Sequence, residues 1–259
     1  MTGDAAELLA QLPVWAFGFV LILARTGCAC MLLPGIGEVE LPATIRAGFA
    51  VTLTVVLLPV IAPLIPPAPD NIWRCVGMVA AEVLTGLWFG WLTRLLMLAL
   101  PVAGQIIASV MGQTNVLQPD PALGPQTPVL SSALAMAATV LVLATGLHAM
   151  PFMALAGSYD LIPAGTLLPA ADTAAQVTRA LSEAFALALR LASPFVLASL
   201  VWQTGLGVLS RLVPQLHVYF AAMPGEILSG FLLLAVLGTS LFAVWQDYVQ
   251  AHFAALPGM

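Results

Sequence analysis

The sequence predicts an all-α integral membrane protein of about six long helices, and three observations predict it. Hydrophobic residues make up 61% of the chain and charged residues 7%, with a mean hydropathy of +1.04, values foreign to an ordinary soluble domain. The apolar residues gather in unbroken runs long enough to cross a bilayer. Clusters of Pro and Gly separate those runs. A chain of 259 residues holds about six spans of roughly 20 residues each, which leaves short connections and no separate soluble domain.

The runs place helices at about Leu12 to Leu33, Pro42 to Val60, Val76 to Leu100, Val129 to Ala149, Ala180 to Leu209 and Ile227 to Gln250. Pro34-Gly35-Ile36-Gly37 closes the first, Pro63 to Pro69 closes the second, and Pro119 to Pro128 precedes the fourth. Asp4 and Glu7 stand ahead of the first run, where a cleaved signal peptide carries positive charge, so the first span is expected to remain in the protein.

Two runs are not plain lipid-facing helices. In the fifth, Arg179, Ser182, Glu183 and Arg190 draw one polar stripe along a helix whose other faces are Ala, Leu and Phe, and that stripe should face protein or water. Arg179 and Glu183 also stand at the i, i+4 spacing of a helical ion pair. An arginine near the centre of a span costs about 2.5 to 3.5 kcal/mol on insertion scales, so Arg190 needs a partner, a cavity or a position off the midplane. In the third run Glu82 and Arg94 lie about 18 Å apart along a helix and cannot pair with each other. Each reads as an end-of-span anchor or an inter-helix contact.

Residues 103–130, AGQIIASVMGQTNVLQPDPALGPQTPVL, are too polar and too rich in Gly and Pro to continue the third span. Irregular backbone at membrane depth survives only where protein or a water-filled cavity satisfies its amides. The alternative is a surface loop, but the length of the stretch, with Gln105, Ser109 and Gln113 on one helical face before the breakers, favours a segment folded back into an assembly. The stretch RLVPQLHVYFAAMPGEILSG, residues 211–230, likewise collects Arg211, Gln215, His217 and Glu226 between and around Pro214 and Pro224.

Charge and chemistry narrow the function. All seven basic residues are arginines, with no cluster among them, which argues against nucleic-acid binding and against a polybasic lipid-binding segment. The same sparsity leaves the positive-inside rule almost nothing to count. Cys28 and Cys30, two positions apart on a helix, point to different faces and form neither a redox motif nor a metal site, and Cys75 makes the number odd. His148, His217 and His252 have no metal-ligand spacing, and neither a G-x-S-x-G elbow nor a P-loop occurs, so no cofactor is expected. An intramembrane serine protease could nominate Ser109, Ser158 or Ser199, with no histidine paired to any of them by sequence. A small-molecule transporter would use interrupted helices at corresponding positions of two related halves. Here the interruptions, 101–128 and 211–226, lie in dissimilar contexts.

Several stretches together resemble the FliR/SctT family of type III secretion export-gate proteins. RTGCACMLLPGIGEVELPATIRAGFAVTLTVVLLP is similar to the family's first two helices joined through a proline turn, with Pro42 and Arg46 at its Pro-x-x-x-Arg. Glu82 precedes a Gly-rich span, as in the family. GQIIASVMGQTNVLQPDPALGPQTPVLS is similar to its Gly-Gln/Glu, Met-Gly, Asp-Pro and Pro-Val-Leu-Ser landmarks, and TGLHAMPFMALAGSYDLIPAG to its Gly-His followed by Ser and Pro-x-Gly. In the last stretch Arg211, Pro214, Gln215, Leu216, Val218, Pro224 and Gly230 keep the family pattern, while His217 replaces Asn, Tyr219 replaces Phe, Ala222-Met223 replaces Gly-Phe and Glu226 stands where Lys is common. At His217 a hydrogen bond to backbone is the expected role.

The resemblance implies a non-enzymatic subunit of the export gate, its helices arranged as hairpins in a helical cone. Residues 1–178 would be the FliP-like part and residues 179–259 a FliQ-like helical hairpin. Partners implied are FliP-like and FliQ-like chains, an FlhB-like chain at the cytoplasmic entrance, membrane lipid and unfolded export substrates, in the bacterial inner membrane at the flagellar basal body. Met111, Gly112, Gln113 and Asn115 would belong to a plug-like loop. Arg211, Pro214, Gln215, His217 and Pro224 would contact partners at the hairpin tip, and Arg46, Glu82, Arg179, Glu183 and Arg190 would make polar contacts between helices or subunits. Both the flagellar and the virulence-type branch share these landmarks.

Overall fold

A computed structural model describes residues 2–38, 41–112, 128–212 and 218–259, with residues 2–11 described by backbone alone. Helices run α1 Thr2–Cys30, α2 Ala43–Ile61 with a short 3₁₀ turn at Ala62–Leu64, α3 Ile72–Met97, α4 Ala99–Val110, α5 Val129–Ala144, α6 Ala149–Leu161, α7 Ala170–Leu212 and α8 Val218–Ala254. Among the described residues there is no strand. Among the described residues, five helical stretches are long and apolar enough to cross a membrane, or six if α5 and α6 count as one broken span. The all-α membrane class is therefore present in the structure.

Local chemistry explains where the helices differ from the apolar runs. Pro101 has no N–H to offer the carbonyl of Met97, and the helix breaks at Leu98 before continuing as α4, with the Val102 amide on the Leu98 carbonyl at 3.0 Å. The expected stop near Leu100 is thus corrected: α4 carries on to Val110. Its glycine, Gly104, is no breaker, because that position packs on Ser131, Leu134 and the Leu130 carbonyl of α5. Residue Gly112, with φ +71°, supplies the left-handed backbone that ends the following turn. A further helix, α6, follows Gly146 (φ +75°), where the sequence predicted no separate element. At the other end, α7 begins ten residues before Ala180 and α8 begins at Val218, so Pro224 stands inside α8 and does not turn the chain.

Proline inside a long helix leaves a carbonyl unpaired one turn earlier. At Pro194 in α7 that carbonyl belongs to Arg190, and the Ser193 hydroxyl donates to it at 2.7 Å. The helix passes through the proline with its freed acceptor satisfied.

The chain divides into two compact units, the first Met1–Leu95, Val142–Ala180 and Gln250–Met259, the second Leu96–Leu141 and Leu181–Val249. In the first, Ile22, Ile61, Tyr159 and Ala164 form a buried cluster with Leu57, Leu58 and Ile65 packed on it. Thr26 and Thr54 join α1 to α2 through their hydroxyls at 2.8 Å, each also within 2.8 Å of a carbonyl one turn back. Rings of Phe49 and Phe152 tie α2 to α6 with centroids 5.5 Å apart. In the second unit, Ala184, Leu187, Ala188, Leu191, Ala192 and Phe195 form the buried stripe of α7, and Leu241 and Trp245 belong to that of α8. These spacings of three and four put each set on one helical face.

Candidate functional site

The first site grows from one face of α3. Glu82, Gly86, Gly90 and Arg94 recur every fourth residue and therefore lie on one stripe of that helix. Glycine at 86 and 90 lets the α3 backbone approach α1: a Cβ at 86 would fall on the Arg25 carbonyl oxygen, and one at 90 would stand 2.8 Å from Leu32 Cβ and 2.9 Å from the Ala29 carbonyl oxygen. This small-xxx-small contact is how helices pack where water supplies no driving force between them.

That approach brings Arg25 and Glu82 together. Arg25 Nε donates to Glu82 Oε2 at 2.7 Å and Nη2 to Oε1 at 3.0 Å, a two-point pair with both side chains fully buried. Nη1 donates to the Ser158 hydroxyl at 3.1 Å and Nη2 also to the Ile162 carbonyl at 3.0 Å. Glu82 Oε1 accepts the Gly165 amide at 2.7 Å. The guanidinium carbon lies 3.9 Å from the centre of the Tyr159 ring, a cation–π contact strengthened by the absence of water. Gly165 holds φ +78°, and a side chain there would also run into Met78. A buried pair is tolerable only when its remaining donors and acceptors are satisfied, and here α1, α3, α6 and the turn after α6 all contribute to that. At the end of the stripe Arg94 donates to the Gly37 carbonyl at 3.2 Å and lies 3.6 Å from the Glu38 carboxylate.

A second site lies in the other unit, where the C-terminal end of α4 rests on α8. Met111 is buried, and its side chain occupies the place a Cβ at Gly230 would need. Glu226, one turn earlier on α8, accepts a hydrogen bond from Gln203 Nε2 of α7 at 2.8 Å. Its other oxygen, Oε2, stands 3.6 Å from where a Cβ at Gly112 would be. Trp202 packs 3.3 Å from the Cβ position of Gly225. A cavity of about 210 Å³ adjoins, lined among others by Met111, Phe195, Ser199, Trp202, Gly230 and Leu233.

The remaining sequence candidates fall as follows. Gln113, Asn115, Pro214, Gln215 and His217 lie outside the described residues. Arg211 and Pro224 are exposed, as are Arg179 and Arg190, while Glu183 is half-buried. Arg46 is half-buried, with its Nε shielded from solvent and without a hydrogen-bond partner. On α4, Gln105 and Ser109 share an exposed face, and the Ser109 hydroxyl turns back to the Ile106 carbonyl at 2.7 Å. Ser158 belongs to the Arg25 cluster, and Ser199 lines the cavity. The Nδ1 atom of His148 lies 3.4 Å from the Val142 carbonyl. Among the described residues no group of three or more His, Cys, Asp or Glu is placed to hold a metal ion.

Arg25 and Ser158 are the residues of this buried network that sequence reasoning did not assemble with Glu82. A signal existed for the first: a lone arginine inside one apolar run and a lone glutamate inside another each require a partner at membrane depth. Ser158 stands out in the sequence as a landmark serine after Gly-His, with nothing there to place it beside Arg25.

Comparison with known proteins agrees with this architecture. Residues 16–252 match the family described as bacterial export proteins, family 1. The chain is 32% identical to the flagellar biosynthetic protein FliR of Caulobacter vibrioides over 88% of its own length and 90% of that relative. It is 25% identical to the protein of the same name from Bacillus subtilis over 87% and 88%. With the Yop proteins translocation protein T of Yersinia pestis it shares 24% identity over 84% of each chain. Because the match runs through nearly all of the described helices, and both flagellar and virulence relatives align along most of their lengths, the chain belongs to the bacterial export proteins, family 1.

Proposed function

We propose that this chain is a non-enzymatic subunit of the flagellar type III export gate in the bacterial inner membrane, at the flagellar basal body. There it builds, with FliP-like and FliQ-like chains, the channel through which unfolded flagellar proteins cross. An FlhB-like chain meets it at the cytoplasmic entrance. The flagellar branch is favoured over the virulence branch by 32% identity to a FliR protein against 24% to the Yop translocation protein.

The observation that carries an assembly, and not a lone transporter, is the exposed apolar surface of α7 and α8. These helices have 43 and 37 residues, about 65 and 55 Å at 1.5 Å per residue, roughly twice the ~30 Å of a bilayer core. Exposed apolar side chains run from Leu181 to Leu212 on α7 and from Tyr219 to Val244 on α8, about 46 and 38 Å of helix, more than the ~30 Å core covers. Apolar surface extending beyond what lipid can cover calls for neighbouring protein.

Within that gate, residues 1–178 act as the FliP-like part and 179–259 as the FliQ-like hairpin. Met111, Gly112, Gln113 and Asn115 start the loop that helps close the pore at rest. Arg211, Pro214, Gln215, His217 and Pro224 serve the entrance end, and Arg46, Arg179, Glu183 and Arg190 lie along seams with neighbouring chains. Purification in mild detergent should bring down FliP-like and FliQ-like chains, whereas a monodisperse protomer that binds a solute would favour a small-molecule transporter. Removal of the chain should abolish motility and filament secretion. Swimming cells with normal filaments would sink the flagellar reading.

A further inference from the structure

We infer that Met111 is a two-position catch between the end of α4 and α8: seated over Gly230 it holds the two together, and the adjacent cavity receives it on release. The inference rests on the export-gate reading and adds to it a device for letting the C-terminal turn of α4 shift. Three observations converge on it. Position 230 has no side chain, and Met111 Cε, Cγ and Sδ all crowd the space a Cβ would take. The seat is a notch that only glycine leaves open.

Beside it lies the cavity of about 210 Å³, bounded by Phe195, Ser199, Trp202 and Leu233. The space is a half-open groove, with Ala198, Ser229 and Leu232 of its lining exposed, so the Met111 side chain can swing into it without displacing tightly packed neighbours. Methionine suits the task, since it is unbranched and has three rotatable bonds that let it repack without backbone change.

The third observation is the glycine that follows. Gly112, at φ +71°, occupies a backbone region that other residues rarely adopt, and it lies beside a Glu226 carboxylate already held by Gln203 at 2.8 Å. The carboxylate and its amide partner therefore fix α7 and α8 to each other at the level of the catch. Met111 is the side chain that the end of α4 seats against α8 beside that pair.

The test uses a strain lacking this chain, complemented with the full-length protein and its variants. It reads filament-protein secretion, resting ion permeability by a potential-sensitive dye, and copurification of the FliP-like chain. Gly230→Ala fills the notch and Met111→Ala removes the knob, so both should raise permeability several-fold. The double variant should match either single one, because all three lose one contact. Ser199→Leu fills the cavity and should slow secretion several-fold with permeability unchanged. Additive effects of the two alanine variants, or normal secretion from a Ser199→Leu complex of full yield, would overturn the catch. If Gly230→Ala fails to assemble, Met111→Ala, which only removes atoms, decides between a several-fold rise and none. Failure of the unaltered chain to restore secretion would instead count against the export-gate reading.

Discussion

Arg25 and Glu82, separated by 57 positions, meet as a two-point ion pair from which solvent is fully excluded, with contacts of 2.7 and 3.0 Å. Each partner also binds backbone or hydroxyl groups at the end of α6. The pair therefore sets the register of three helices at once.

Removing one partner should cost far more than removing both. Glu82→Gln or Arg25→Met leaves a buried charge or its donors uncompensated, a loss of about 3–5 kcal/mol, whereas an apolar pair of similar volume is often neutral. Arg25→Met/Glu82→Leu should recover much of the stability lost in either single variant. Thermal unfolding of the detergent-purified complexes measures this. A double variant that loses the sum of the two single losses would show that the residues act independently.

Gly86 should tolerate no side chain. A Cβ there falls on the Arg25 carbonyl oxygen, a backbone atom that cannot swing aside as a flexible side chain could, so Gly86→Val must separate α1 from α3 and pull the ion pair apart. Membrane accumulation of the variant should drop several-fold, while Gly48→Val, where no neighbour lies within 4 Å, should accumulate near normally. Equal levels of the two variants would contradict the close packing.

How much of this was legible in the sequence differs by feature. Composition and run length identify the helices because bilayer thickness imposes them. Glu82 stood out for the same reason, as a charge in an apolar run. Arg25 carried the same signal, but its pairing with Glu82 was not legible, because pairing depends on which helices adjoin, and one sequence carries no such record. The helix α6 escaped notice because Pro151, Gly157, Ser158 and Asp160 interrupt its apolar pattern. Pro224 looked like a turn and sits within α8, since a long helix with surrounding contacts absorbs a proline that would end a short one. The seat of Met111 on Gly230 joins two motifs more than a hundred residues apart, and only the fold brings them together.

The entrance end of the hairpin should be a partner contact. Helix α7 runs to Leu212 and α8 starts at Val218, and Leu212, Tyr219 and Phe220 stand exposed at these helix ends. Exposed aromatic and aliphatic groups flanking Arg211 are the composition of a protein-binding surface. Photocrosslinkers at 215 or 219 should capture an FlhB-like chain in assembled complexes. Complexes that assemble normally and never give that product at either position would remove the assignment.

Deletion of residues 112–122 tests the plug. The α4 helix ends in a turn closed by Gly112, and just before it Met111 is held against α8, so the chain enters the following segment from a fixed point. If that segment helps fill the pore at rest, its loss should leave assembly intact, because the α4–α5 contact through Gly104 and the bond from the Ser131 hydroxyl to the Pro101 carbonyl at 2.9 Å are retained. Ion permeability of resting membranes should then rise several-fold, with the FliP-like chain still copurifying. An assembled complex whose permeability is unchanged would mean that closure is carried by other chains, and Met111 to Asn115 would lose their place in it.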